Sequence, residues 1–397
     1  MRKFAVAVAV LAGVVGLTAC GSSDDSDSKS GDGGSKTVKI GFSGDFSGLL
    51  AAYDVPVKEG MEFAAEEINN SDGEYKVELK TEDNKSDPQL TVSQTQELTD
   101  GGYLINVIGT GDGRNAAATL VGEADGLSLG TLNTYPGFTD EAGPNSALLT
   151  VADNIQAAAS AKYACDQGYK NVFTFYSDDF SYSKGLPAYF QDAFAEICDG
   201  NVSGTASFSL GATDFSAQIT KLKNANPQPD AIYSPMFVPD SVTFVKQLRQ
   251  AGVTLPYLSS DANYLQDFAD SAGDAANGVV ASPYVFAGPS TPLKKFQEAF
   301  RKATGKKPAT PLYEAIGRDQ VYAMVKAAEL AGSTEPSAIL GELANLPSDT
   351  FVAVNDGDFD AETRRFATAK IALVKIENGE FNLVDEIKPE FVPEPVR

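Results

Sequence analysis

Residues 38–70 read VKIGFSGDFSGLLAAYDVPVKEGMEFAAEEINN, and this stretch decides the fold class. The short apolar run Val38-Lys39-Ile40-Gly41-Phe42 has strand character. After a Gly/Ser/Asp turn, Val57, Met61, Ala64, Ala65 and Ile68 recur at helical spacing until Asn69-Asn70 stops the helix.

The same couplet recurs along the chain. A strand at 77–79 precedes a helix at 88–98, a strand at 104–108 precedes a helix at 115–124, and a strand follows at 127–132. Strands that alternate with helices predict a parallel sheet covered on both faces. A second series begins after the polar stretch 134–145. It has helices at 155–165, 184–197, 215–223 and 241–251, interleaved with strands at 172–176, 202–208, 231–233 and 257–258. Long helical patterns at 293–303 and 313–330 lead into strand-like segments at 351–353, 370–376 and 381–384. The expected fold is α/β, with two doubly wound, Rossmann-like lobes. A chain of 397 residues also exceeds what one hydrophobic core usually serves.

The N-terminus carries a different signal. Met1-Arg2-Lys3, an apolar run from Phe4 to Gly16, and Leu17-Thr18-Ala19-Cys20 have the order of a cleavable leader over residues 1–19. Leu17-Thr18-Ala19-Cys20 resembles the bacterial lipobox, which implies acylation of Cys20 and a lipid anchor in the cell membrane. The alternative is an ordinary secretory leader with an incidental cysteine. Residues 21–35 hold Gly, Ser and Asp with one Lys and nothing apolar, so residues 20–36 read as an anchor and tether. No later apolar run has the roughly 18 residues a membrane helix needs.

Composition excludes several functions. With 31 Lys plus Arg against 54 acids, the formal net charge is −23, which opposes nucleic-acid phosphates. The chain has no histidine, so a Ser-His-Asp triad, a Cys-His pair and a histidine metal site are excluded. There is no Gly-x-Ser-x-Gly elbow, Walker loop or dinucleotide fingerprint. No enzymatic activity, cofactor or metal is therefore expected. Cys165 and Cys198 remain as a pair in an exported chain, where a disulfide persists; the alternative is two separately buried thiols.

Several short motifs then fall into a common order. They are Ile40-Gly41-Phe42-Ser43-Gly44-Asp45-Phe46-Ser47-Gly48, Ala51-Ala52-Tyr53, Gly60-Met61-Glu62-Phe63-Ala64, Val107-Ile108-Gly109, Asp214-Phe215-Ser216, Pro229-Asp230-Ala231 and Lys375-Ile376-Glu377-Asn378-Gly379. Over residues 37–386 the chain resembles the type I periplasmic binding proteins, specifically the branched-chain amino-acid receptors of ABC importers. The resemblance implies two lobes joined by three crossings, expected near 134–150, 283–288 and 353–358, with a solute held between them. The expected division puts 37–133 and 288–353 in the N-terminal lobe, and 134–287 and 354–397 in the C-terminal lobe and hinge.

In such sheets ligands bind beyond the carboxyl ends of the strands. The family places a small hydroxyl residue in the loop 110–115, where this chain has Asp112 and Gly113. Asp112 would repel a ligand carboxylate unless the Gly113 amide and Arg114 offset it, or it caps the following helix. The resemblance assigns Thr134 to the ligand's α-amino and carboxylate groups, with Asn133 the candidate if the alignment slips by one. Tyr182, with Gly185, matches an aromatic-x-x-Gly turn that covers the ligand, or else serves as a helix-entry staple. Asp261 matches the acid that neutralises a ligand ammonium, or else caps a helix. Phe237 and Tyr53, with Met236 and Tyr313 beside them, would wall the side-chain pocket unless they are plain core. The implied function is a monomeric extracytoplasmic receptor that captures a small solute, a branched-chain or other amino acid, and delivers it to an ABC permease. The alternatives are a sensor for a separate signalling partner, or a receptor for an amide or amine.

Overall fold

The computed structural model describes residues 36–111, 113–310 and 312–395. The leader, Cys20, the tether up to Ser35, and Asp112 lie outside these residues.

The first sheet contains β1 (Lys36–Gly44), β2 (Tyr75–Asp83), β3 (Ile105–Ile108), β4 (Leu127–Gly130) and β5 (Ser146–Leu148), all parallel, in the order β2-β1-β3-β4-β5. β3, β4 and β5 are buried along their whole length, as expected for strands covered on both faces. The covering helices are α1 (Ala51–Asn69), α2 (Pro88–Asp100), α3 (Arg114–Glu123) and the short α4 (Phe138–Glu141). α2 starts where Asp87 accepts hydrogen bonds from the Gln89 and Leu90 amides and Pro88 occupies the first turn.

The second half repeats the plan. α5 (Asp153–Asp166), β6 (Asn171–Ser177), α6 (Ser181–Cys198), β7 (Asn201–Phe208), α7 (Ser216–Lys223), β8 (Ala231–Tyr233), α8 (Asp240–Gln250), β9 (Tyr257–Leu258), α9 (Gln266–Ala272) and β10 (Val279–Ala281) follow in sequence. The strands pair in parallel as β7-β6-β8-β9-β10. Cys165 and Cys198 form a disulfide between the C-terminal ends of α5 and α6, with Cα atoms 5.9 Å apart. α10 (Pro292–Thr304), α11 (Tyr313–Ala331) and α12 (Pro336–Glu342) then return the chain to the first lobe. There Phe63 of α1 packs on Phe296 and Phe300 of α10, with ring centroids 5.7 and 5.5 Å apart.

Three connections join the lobes. The first follows β5, whose pairing with β4 keeps residues 146–148 in the first sheet, although the division by sequence gives them to the second lobe. The second follows β10. The third is a strand: β12 (Arg365–Glu377) pairs at Arg365 with β5 and at Val374 and Lys375 with β10. β11 (Asn355–Asp360) and β13 (Glu380–Ile387) pair with β12 on either side of this passage. The strand expected at 351–353 is absent; Ser348–Thr350 is a 3-10 turn, and pairing begins at Asn355. Asp319 of α11 accepts both the Val352 and Ala353 amides at 2.7 Å, which removes those donors from any strand ladder.

Candidate functional site

The carboxyl ends of both sheets face one cavity, and buried carboxylates shape its first-lobe wall. Asp45, at the end of β1, accepts the main-chain N–H groups of Ser47, Gly48 and Leu50 and the Ser86 hydroxyl. This turn launches α1 and points Tyr53, in its first turn, across the cavity. Asp54 accepts the Asp45 amide at 2.8 Å and the Thr110 amide and hydroxyl at 3.1 and 3.0 Å. It thereby fastens the loop after β3 to α1. Gly109 is required beside it, because a Cβ there would stand 2.4 Å from the Asp54 carboxylate.

The second lobe contributes Asp261, which lies after β9 and is only 5 % exposed. Gln156 donates to Oδ1 at 2.8 Å, Tyr182 to Oδ1 at 2.9 Å and Tyr313 to Oδ2 at 3.1 Å. Tyr182 also bonds the Ser260 hydroxyl at 2.7 Å, and its ring stacks on Phe237 with centroids 5.1 Å apart. Burial pushes the Asp261 carboxyl above the usual carboxylate range, and the three donors pull it back.

The lobes touch across the cavity. The first-lobe Tyr53 hydroxyl accepts the Val238 amide at 3.0 Å and bonds the Ala262 carbonyl at 3.4 Å. Tyr313 spans from α11 to Asp261. Arg114, the first residue of α3, donates to the Gly111 carbonyl at 3.1 Å and to the Ser181 hydroxyl of α6 at 2.6 Å. These contacts describe a closed arrangement of the two lobes.

The cavity is narrow, with a free interior of about 40 Å³. Of the residues singled out by sequence, Tyr53, Asn133, Thr134, Tyr182, Phe237, Asp261 and Tyr313 line it together. Gly113 does not. It caps α3 in the left-handed conformation, with φ of 88° and its α-carbon backed against the Pro88 carbonyl. Met236 is buried, and its carbonyl accepts from Asn263 rather than facing the cavity.

Sequence reasoning missed Asp153 and Tyr284, which also line the cavity. Asp153 begins α5 at the first crossing and is 2 % exposed. Burial raises its carboxyl to about 7, opposed by the Thr134 hydroxyl and reinforced by the nearby charge of Asp261. Asp54 is likewise raised to about 7, chiefly by burial. The only sequence signal for Asp153 is an acid in a first helical turn, which is commonplace.

A stability prediction follows from these two acids. Each holds in the folded chain a proton that the unfolded chain releases near its ordinary value of 3.8. Their stabilising contribution is complete below that value and is lost as pH rises through about 7. The unfolding midpoint of the solute-free protein is expected to fall as pH rises from about 4 to about 7. Asp153→Asn, neutral throughout, should flatten this slope; an identical slope in the variant would show that Asp153 does not titrate in this range.

The family profile for periplasmic binding proteins matches residues 37–380. The chain belongs to that family. The Leu/Ile/Val-binding protein homolog 1 of Brucella abortus (strain 2308) is 25% identical over 311 residues, covering 76% of this chain and 81% of the relative. Among solved structures, the leucine-binding protein LivK of Thermotoga maritima superposes with a TM-score of 0.77 at 26% identity, covering 89% of this chain and 99% of that one. LivJ of Streptococcus pneumoniae, a branched-chain amino-acid transporter substrate-binding protein solved with isoleucine, gives 0.75 at 25% identity over 89% and 100%. The type I periplasmic binding protein fold expected from sequence is therefore the fold observed. The family comprises extracytoplasmic solute-binding proteins of ABC transporters, which are not enzymes. No helix among the described residues is long and apolar enough to cross a membrane.

Proposed function

We propose that this protein is the solute-capturing lipoprotein of an ABC importer, anchored through Cys20, monomeric, and selective for an amino acid. The observation that carries this reading is the buried carboxylate of Asp261, held by donors from both lobes inside a cavity walled by Tyr53, Tyr182, Phe237 and Tyr313. A desolvated carboxylate in an aromatic enclosure suits an ammonium group, which gains both a charged hydrogen bond and cation–π contact. Thr134 and Gly111, with Arg114 beside them, would face the ligand's carboxylate. The names of the relatives, several of them Leu/Ile/Val-binding proteins, agree with an amino-acid ligand.

Closure would follow from differential binding. A solute that touches Asp261 and Tyr53 together contacts both lobes, so it stabilises the closed form over the open one. The closed form would then dock on the permease. The test is a thermal-shift screen of the detergent-solubilised full chain against the natural amino acids, small amides and polyamines, since a ligand that binds only the folded state raises the midpoint. A saturable shift with one or a few amino acids is the expected result. No shift with any of these solutes would remove the receptor reading.

A further inference from the structure

Most polar groups around the cavity are already paired with one another, and the exceptions define what a ligand must bring. Asn133 is 3 % exposed, lines the cavity, and has no hydrogen-bond partner for either its Oδ1 or its Nδ2. Among the described lining residues, it is the neutral side chain with two unpartnered polar atoms; the Tyr284 hydroxyl is unpartnered as well. Asp153, whose amide bonds the Thr134 carbonyl one residue along at 2.9 Å, keeps an unpartnered Oδ1 on the same wall. Asp261, by contrast, has both oxygens engaged.

A buried amide that makes no hydrogen bond is strongly unfavourable, so a cognate solute is expected to satisfy it. Different ligand groups satisfy it unequally. An alkyl side chain leaves both atoms unpaired. A carboxylate accepts from Nδ2 but leaves Oδ1 unmet and approaches the Asp153 carboxyl. An ammonium reaches Oδ1 but leaves Nδ2 without an acceptor. A primary carboxamide presents a donor and an acceptor in one plane, as Asn133 does, and can form two parallel hydrogen bonds with it. Its second N–H can meet the free oxygen of Asp153.

We propose that the solute of this receptor carries a primary carboxamide, paired with Asn133 and flanked by Asp153. This deepens the receptor reading and rests on it. The carboxamide belongs either to the side chain of an amino acid or to a free aliphatic amide, and the chemistry at Asn133 is the same for both. Discrimination should be large, because a site built to hydrogen-bond a group rejects an analogue that leaves its buried partners unpaired.

The test is isothermal titration of the full chain in detergent with three matched sets. These are glutamine and asparagine; their acids, glutamate and aspartate; and the alkyl amino acids leucine, isoleucine, valine and norvaline. Propionamide reports on the free amide. At least one amide is expected to bind about tenfold or more tightly than its matched acid and alkyl counterparts. Propionamide binding as tightly as the amino-acid amide identifies the free amide as the whole ligand; much weaker binding identifies an amide amino acid. Asn133→Leu, close in size and losing no internal hydrogen bond, should abolish the preference and improve leucine binding. Asn133→Asp should weaken amide binding, because the donor to the amide carbonyl is lost, while still excluding the acids, which a second carboxyl repels. Leucine or isoleucine binding the wild-type chain more tightly than every amide would overturn the carboxamide proposal and leave the receptor standing. Failure of every solute to bind would overturn both.

Discussion

Asp261→Asn is expected to weaken binding of the cognate amino acid about 100-fold, equivalent to about 2.7 kcal/mol, while leaving the solute-free fold as stable as before or more so. The two halves of this expectation have one cause. A carboxylate offers about four lone-pair sites, and Gln156, Tyr182 and Tyr313 occupy three of them on Asp261. A bound ammonium beside this carboxylate would supply the charge that the protein does not. Without ligand, burial disfavours the charge and raises the carboxyl, so a neutral amide of the same shape relieves desolvation. With ligand, the same change leaves a buried ammonium facing a dipole. A purely structural Asp261 would behave in the opposite way, losing stability first and affinity only as a consequence. Calorimetric affinity and the solute-free unfolding midpoint, measured on the same preparation, separate the two. Unchanged affinity in Asp261→Asn would remove this residue from the ligand's shell.

How much of this site was legible in the sequence depends on what determines each residue's surroundings. Tyr53, Thr134, Tyr182, Phe237 and Asp261 lie shortly after strands, in a connecting segment or the first turn of the next helix, and the order of motifs points to them; all five line the cavity. Asp153 and Asp54 were not legible. Each is an acid in the first turn of a helix, where exposed acids are ordinary. Each becomes exceptional only through residues far away in the chain: Thr110 lies 56 positions from Asp54, and the charge of Asp261, much later in the chain, bears on Asp153. Burial of that kind is tertiary and leaves no periodic trace. Gly113 shows the reverse error, since a glycine at a helix start suits an anion cradle and a left-handed cap equally well. The Pro88 carbonyl behind it settles its conformation.

The fold was more legible than its crossings for a similar reason. Each strand-helix couplet carries its own period, so the two series can be read locally. β5 is three residues long and buried throughout, so it carries no alternation to mark which sheet it joins. β12 reads as one continuous strand, yet its two ends belong to different sheets. Pairing partners, not residue preferences, make it a crossing.

Gly60→Val is expected to produce the largest loss of stability, at least about 4 kcal/mol, or no folded protein at all. α1 and α11 cross with their backbones in contact. A Cβ built on Gly60 would stand 1.8 Å from the Glu314 carbonyl oxygen, and one on Gly317 would stand 1.9 Å from that of Val57. Both obstacles are main-chain atoms inside helices, so neither can rotate aside as a side-chain tip would, and relief requires moving one helix off the other. That movement would disturb more than the crossing. Glu314, in the first turn of α11, accepts the Ala309 and Thr310 amides and the Thr310 hydroxyl. Tyr313 beside it reaches Asp261 in the other lobe. Gly122 supplies the control, because a Cβ there meets nothing closer than Asn145 at 3.9 Å. Gly122→Ala in α3 should be neutral or gain up to about 1 kcal/mol through the unfolded state. Chemical denaturation of the two variants beside the wild type decides the matter: a Gly60→Val midpoint equal to that of Gly122→Ala would mean that the helices cross at side-chain distance and that Tyr313 is not held in place by this contact.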